Sequence, residues 1–203
     1  MARQVSSLPA FRRSEPDARR ASLVEACARV LAREGAAGAS VRAIAAEAGV
    51  SPGLVGHYFE GVDALVAATY AHVGAQVDAA LDAALEGAGD DPRARLEAYL
   101  TASFAPSIAR GELLATWVAF WSLTASRHDI ARQHDEQYAR FRSRLEALLG
   151  ECGVAAGRRR AQAIALTALV DGLWLELCLS PAVLSPADVA RIVREHAGLT
   201  IRG

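Results

Sequence analysis

The sequence contains no lysine, so all 22 of its basic side chains are arginine, set against 23 acids for a net charge of -1. A nearly neutral chain does not attract nucleic acid through its overall charge, and any basic patch has to be local. Cysteine is scarce. Cys27, Cys152 and Cys178 are far apart, odd in number and set among apolar residues. That pattern makes neither a disulfide framework nor a CxxC metal site, and reads as small buried hydrophobes in a reducing compartment. The histidines His57, His72, His128, His134 and His196 form no HExxH, no ExxH and no i, i+4 pair. GxSxG, a Walker loop and a dinucleotide fingerprint are also missing. No enzyme activity, metal or cofactor is expected.

Uninterrupted hydrophobic runs are lacking too. The most apolar stretch, IALTALVDGLWLELCLSPAVL, is broken by Asp171, Glu176 and Pro181, too costly for an ordinary spanning helix. The opening MARQVSSLPAFRRSEPDARR has paired arginines, but Glu15 and Asp17 follow where a signal peptide needs an apolar stretch. The expectation is a soluble cytoplasmic protein with no membrane partner.

What is present is helix. The chain is 203 residues long, 52% hydrophobic and rich in alanine, with β-branched residues scattered, enough for a sizeable core built from helices. A capping residue followed by proline recurs at Glu15-Pro16, Ser51-Pro52, Asp91-Pro92 and Ser185-Pro186. Ser126 with Asp129, and Ser185 with Asp188, read as capping boxes. Gly35, Gly49, Gly150 and Gly198 read as helix stops. Nine helices follow, over about 16–34, 41–47, 52–58, 61–85, 92–105, 112–125, 127–149, 158–179 and 187–197. Ile130, His134, Tyr138, Phe141, Leu145 and Leu148 recur at the steps of one helix face, and no run alternates with period two. The fold class is all-α. Residues 1–14 form a flexible arm, 15–60 a first domain of short helices, and 61–203 a second domain with the longer helices of a bundle.

The informative stretch is SVRAIAAEAGVSPGLVGHYFEGVDAL, from Ser40 to Leu65. Ser40 caps a short helix, Gly49 supplies a left-handed turn, and Ser51 with Pro52 opens a second short helix. Two short helices joined by a tight glycine turn make a helix-turn-helix. Gly53 and Gly56 lie three apart and leave one flank of the second helix bare, with Leu54 and His57 beside it. Each glycine costs about 1 kcal/mol against alanine, a penalty that close approach of another molecule would explain. The free N–H groups at the helix start suit a phosphate.

These residues, with VEACARVLAREG ahead of them, resemble the DNA-binding domain of TetR-family transcriptional regulators. SPGLVGHYF at 51–59, TWVAFWS at 116–122 and ALVDGLWLELCLS at 168–180 are similar to its choline-sensing BetI-type branch. The resemblance implies DNA contacts by Ser40, Val41 and Arg42 on the supporting helix, and by Ser51, Pro52, Gly53, Leu54, His57 and Tyr58 on the recognition helix. Phe59 would pack inside. Arg3, Arg12, Arg13, Arg19 and Arg20 would supply a basic arm along the backbone. Where the family places a phosphate-gripping lysine, this chain has Val62, flanked by Glu60 and Asp63.

Further along, Trp117, Phe120 and Trp121 make an aromatic face, and Tyr99, Phe104, Tyr138, Phe141 and Trp174 stand on neighbouring segments. Rings with the carboxylate of Asp171 are what a quaternary ammonium ligand needs, although the same rings would also make an ordinary bundle core. Leu166, Leu169, Val170, Leu173, Leu175 and Leu177 spread round one helix, which the resemblance implies joins a homodimer interface. The function expected is a repressor that leaves a palindromic double-stranded operator when a small molecule, choline or another quaternary amine, binds. Two other readings are a helix-turn-helix module for protein contacts and a helical-bundle enzyme.

Overall fold

The computed structural model describes residues 15–202 except Ser107 and Pro181. The N-terminal arm, with Arg3, Arg12 and Arg13, lies outside the described residues. Among the described residues there are nine α-helices and no strand: α1 (Glu15–Gly38), α2 (Val41–Glu47), α3 (Pro52–Tyr58), α4 (Val62–Gly87), α5 (Pro92–Ala102), α6 (Gly111–Thr124), α7 (His128–Glu151), α8 (Ala156–Leu179) and α9 (Pro186–Arg202).

Local chemistry sets most boundaries. The Ser40 hydroxyl accepts the Ala43 N–H at 3.2 Å, and the Asp91 carboxylate accepts the Ala94 N–H at 2.8 Å. The Ser185–Asp188 box is reciprocal, with each residue's backbone N–H held by the other's side chain. Ser126 does not form the expected box. The cap of α7 is Arg127, which makes no side-chain cap bond, and Asp129 instead pairs with the Arg127 guanidinium at 2.8 Å. Gly35 breaks α1 with φ 67°, after which a last turn runs to Gly38. Gly150 and Gly198 end nothing: α7 runs to Glu151 and α9 to Arg202, because the left-handed turn after α7 falls on Gly153. Helix α5 stops at Ala102, short of 105, where Pro106 ahead restricts the backbone.

In α1, Leu23, Cys27, Val30 and Leu31 share a buried face that joins Ile44 of α2 and Val55 of α3 in one core. The Cys27 thiol is pushed up to about 11 by that burial, so it stays protonated and behaves as a small apolar group. Helix α1 also lies along α6 and α4. The Thr116 hydroxyl of α6 reaches the Ala28 carbonyl of α1 at 3.1 Å while also facing its own helix's Glu112 carbonyl at 2.8 Å. Helix α4 leaves the short helices and packs against α5 and α7, so it borders both parts of the molecule. Helices α7 and α8 lie side by side, and α9 covers α5 and α8.

Helix α8 is apolar round most of its circumference and splits into two stripes. Ala163, Leu166, Thr167, Val170, Trp174 and Leu177 face inward. Ile164, Ala165, Ala168, Gly172, Leu175 and Leu179 face out. Leu166, Val170 and Leu177 therefore belong to the chain's own core and not to a surface for a second subunit, while Leu169 and Leu173 are half-buried at its edge. Sequence alone does not show which stripe of an all-round apolar helix turns inward. By length and composition α8 is the one described helix that qualifies as a membrane span.

Candidate functional site

The first site is the exposed face of α2 and α3. The turn between them uses Gly49 at φ 66°, a conformation that costs an L side chain about 1 kcal/mol or more. Val55 and Phe59 are buried and fix α3 to the core. Ser51, Pro52, Gly53, Gly56 and His57 are exposed, while Leu54 and Tyr58 are half-buried between surface and core. A side chain added at Gly53 or Gly56 meets nothing within 4 Å, so both glycines leave open space on the outer flank. The His57 and Tyr58 rings meet edge to face at 5.1 Å between centroids. Val41 packs partly on the core, and Ser40 and Arg42 stand exposed at the start of α2.

The arginines divide by their partners. Arg29 and Arg33 of α1 hold Glu47 at 2.7 and 2.9 Å, and this clamp keeps the Glu47 carboxyl below its ordinary range while fastening α2 to α1. The Arg20 guanidinium lies 4.8 Å over the Phe59 ring. Arg19 and Arg42 are exposed and make no ion pair with any described residue, which leaves them for a phosphate. Asp63, beside Val62, is taken up by Arg127, whose guanidinium also holds Asp129. Arg127 thus offsets the acid that stands next to the missing lysine, and ties the start of α4 to the corner before α7.

Because Gly53 and Gly56 have room for a methyl group, Gly53→Ala/Gly56→Ala should stabilise the isolated protein by about 1–2 kcal/mol. The same methyl groups stand on the flank that approaches a groove, so duplex binding should weaken together with that gain. Thermal unfolding and a duplex titration on the same sample check this, and unchanged DNA affinity would remove close approach as the reason for the glycines.

The second site is a cavity of about 50 Å³ between α4, α5, α6, α7 and α8. There is space in it for a small ligand group or several waters. Trp117, Tyr138, Phe141, Trp174 and Asp171 line it, as do Gln137 and Asp78. Trp174 is anchored by its indole N–H, which donates to the Ser103 carbonyl at 3.1 Å. That carbonyl is free because α5 ends just before it.

Asp171 is the chemically telling group. Its only hydrogen bond among the described residues comes from the Tyr138 hydroxyl, at 2.9 Å, and no arginine is paired with it. Burial pushes its carboxyl up to about 6, against the weaker pull of the Tyr138 bond and of Arg142. Tyr138 also accepts the Trp121 indole N–H at 3.2 Å. Asp171 and Tyr138 together form the wall between the cavity and an outer groove lined by Trp121, Thr124, His134, Gly172 and Leu175. Burial lowers His134 towards the neutral form.

Not every expected ring reaches the cavity. Phe120 is fully buried against Tyr70 and Trp117, Tyr99 is buried and stacks on Phe141 at 5.2 Å without lining the cavity, and Phe104 is a core residue. Trp121 touches the outer groove instead. An aromatic pattern marks a helix face but does not separate a cavity wall from the layer behind it. The sequence reading passed over Gln137, Asp78 and Arg127. Gln137 and Asp78 sit on helices crowded with similar polar residues, and only the packing singles them out. Among the described residues no group of three histidine, cysteine or acidic side chains is placed to hold a metal ion.

A glycine-opened helix-turn-helix joined to a bundle with an internal aromatic cavity is the construction of a ligand-responsive DNA-binding regulator. Comparison with known proteins agrees. The family model described as bacterial regulatory proteins, tetR family, matches residues 23–69, and that of the BetI-type transcriptional repressor, C-terminal, matches residues 92–202. The HTH-type transcriptional regulator BetI of Paraburkholderia phytofirmans is 33% identical over 90% of this chain and 93% of its own length. The crystal structure of a transcriptional regulator from Pseudomonas aeruginosa PAO1 superposes with a TM-score of 0.84 at 41% identity, over 95% of each chain. A regulator from Saccharomonospora viridis, solved in complex with choline, shares the fold with a TM-score of 0.71 at 19% identity, over 90% of this chain and 95% of its own.

The chain belongs to the TetR family of transcriptional regulators, with a C-terminal domain of the BetI type. It is a ligand-responsive DNA-binding regulator and not an enzyme. Members of this family bind DNA, dimerise and answer to small molecules.

Proposed function

We propose that this regulator is a cytoplasmic repressor that holds a palindromic operator as a homodimer and releases it when a quaternary amine enters the cavity between α4 and α8. The observation that carries the reading is Asp171: a largely buried carboxylate with no cationic partner, set among Trp117, Tyr138, Phe141 and Trp174. A buried carboxylate left unpaired is costly, and a cation that needs no hydrogen bonds of its own satisfies both it and the rings. The choline found in the Saccharomonospora viridis regulator agrees with that ligand class.

In this reading residues 15–60 read DNA through Ser40, Val41, Arg42, Ser51, Pro52, Gly53, Leu54, His57 and Tyr58, with Arg19 on the backbone. Residues 61–203 bind the effector and the second subunit. The outward stripe of α8, from Ile164 to Leu179, is too apolar to stay in water, and a two-fold partner covers it. Such a dimer sets the two α3 helices in successive major grooves, about 34–36 Å apart. Effector binding rearranges the walls that α4 and α7 share. Helix α4 moves, and the distance between the two α3 helices no longer matches the operator.

Fluorescence anisotropy on duplex fragments from the protein's own upstream region, with and without choline, tests this. Expected are salt-sensitive binding to one fragment, loss of that binding in His57→Ala/Tyr58→Ala, and release by choline. Binding of every duplex alike, or a complex that choline leaves intact, would refute the operator or the ligand class respectively.

A further inference from the structure

Helices α4 and α7 meet along a seam of polar rungs. Asp63 pairs with Arg127, the Tyr70 hydroxyl lies 3.4 Å from His134 Nδ1, and Asp78 faces Arg140 at 3.5 Å. The partners advance together along both helices, so α4 and α7 run parallel here, over about 20 Å at roughly 1.5 Å per residue. The seam begins at the first turn of α4, just after the DNA-reading helices, and ends at Asp78 on the cavity wall.

Gly74 and Gln137 stand between the second and third of these rungs. A Cβ built on Gly74 falls 2.7 Å from Gln137 Oε1, 2.8 Å from Nε2 and 3.0 Å from Cδ. The amide therefore occupies space that any other residue at 74 would fill, and it lies on the α4 backbone. Apart from the terminal Gly87, Gly74 is the only glycine of α4. Glycine inside a helix is destabilising against alanine, and the seated amide accounts for it here.

Gly74 also divides α4 by what it touches. Before it, Thr69 meets Cys27 of α1, and Ala68 and His72 border a groove against the same helix. After it, Val77, Asp78 and Leu81 line the cavity. Gln137 lines that cavity too, so its side chain runs from the effector space to the point where the two halves of α4 join. Close-packed groups transmit a displacement because they do not compress. A ligand that displaces α7 at Gln137 thus presses on the main chain of α4, and the rungs on either side keep the helices from slipping past each other.

We infer that Gly74 and Gln137 are a positioning pair that passes effector occupancy from α7 to α4, and through α4 to the DNA-reading helices. This rests on the reading of the cavity as an effector site and deepens it by naming the contact that links ligand to operator.

The test reads the coupling itself: the ratio of operator affinity without choline to that with saturating choline, by anisotropy on the full-length protein and the upstream fragment it binds. Wild type is expected to show a ratio of about 50. Gly74→Ala drives the amide from its seat and is expected to cut that ratio by about fivefold or more. Its operator affinity without choline, and its choline affinity by calorimetry, stay within about threefold of wild type. Gln137→Ala empties the seat, lowers the ratio by itself, and carries the test if Gly74→Ala does not fold. Adding Gly74→Ala to Gln137→Ala is expected to change the ratio no further, since the contact is already gone. A stiffer α4 would instead lose coupling in both backgrounds. An undiminished ratio in either folded single variant, or an equal further loss from Gly74→Ala in the Gln137→Ala background, overturns the role of the pair and leaves the effector site standing. A wild-type complex that choline does not release overturns the effector reading, and this inference with it.

Discussion

Asp171→Asn is expected to gain stability and lose effector response in the same protein. Burial holds the Asp171 carboxyl at about 6 in the folded chain, above its ordinary value of 3.8. A raised carboxyl favours the folded state only while it is protonated. Its cost is therefore absent below about pH 4, grows as pH rises through that window, and is complete above about pH 6. After allowance for the part of the side chain that stays solvated, the cost at pH 8 is about 1–2 kcal/mol. The asparagine variant avoids it and should melt about 3–6 °C higher at pH 8, with little difference at pH 4. Cation binding behaves in the opposite way. It needs the ionised carboxylate, so wild-type affinity for a quaternary amine should fall as pH drops below about 6, and the variant should bind at least tenfold more weakly at pH 8. The Tyr138 bond and the nearby Arg142 set the exact midpoint. A variant that melts lower than wild type at pH 8, or that retains full affinity, would show that Asp171 is a structural residue.

The second large effect is expected at the outward stripe of α8. Ala168 stands exposed midway along it, between Ile164 and Leu175, so the single chain has room for a long charged side chain there. In the proposed dimer the same position is enclosed by a second copy of the helix, and an arginine would bury an unpaired charge at a cost of several kcal/mol per subunit. Ala168→Arg should convert the protein to monomer with its helix content intact. Operator affinity should drop by two orders of magnitude or more, because each half-site must then be bound alone. Sedimentation and anisotropy on the same preparation check both effects. A dimer that survives Ala168→Arg would place the interface elsewhere. Leu166, Val170 and Leu177 offer no comparable test, since changing them damages the chain's own core.

Much of the fold follows from local rules that a sequence displays. Ser40, Asp91 and the Ser185–Asp188 pair cap helices as their side chains dictate, and Gly49 turns the chain where only glycine is comfortable. The short helices α2 and α3 have the bounds that their caps and stops imply. Errors arise where a residue has two possible uses. Asp129 chose the Arg127 guanidinium over a cap, and Gly198 stays inside α9 because the helix packs on α5 and α8. The cavity was half legible. Aromatic spacing located Trp117 and Tyr138, and an acid three residues before Trp174 on an apolar helix located Asp171. Gln137 gave no signal, because only the packing of α7 against α4 and α8 brings its side chain to the cavity wall.

Exposed ion pairs contribute little, but position can give one a larger role. Arg127 joins Asp63 at the first turn of α4 to Asp129 at the first turn of α7. Arg127→Ala should cost less than about 1 kcal/mol of stability, since Asp63 is largely solvated. It also leaves Glu60 and Asp63 unopposed near the DNA, so operator affinity should fall severalfold, more at low salt than at high. Equal losses at both ionic strengths would mean that the pair matters for position and not for charge.

The bond from Thr116 to the Ala28 carbonyl, and the long contact of α1 with α6 around it, make the DNA-reading end a lever arm fixed to the bundle and not a bead on a hinge. A lever transmits an angle without bending. Effector binding can then change where each reading head points while its internal geometry stays the same. Amide protons in the core of α1 to α3 should exchange at the same rate with and without effector, even as the operator complex falls apart. A key that is turned away from its lock keeps its shape.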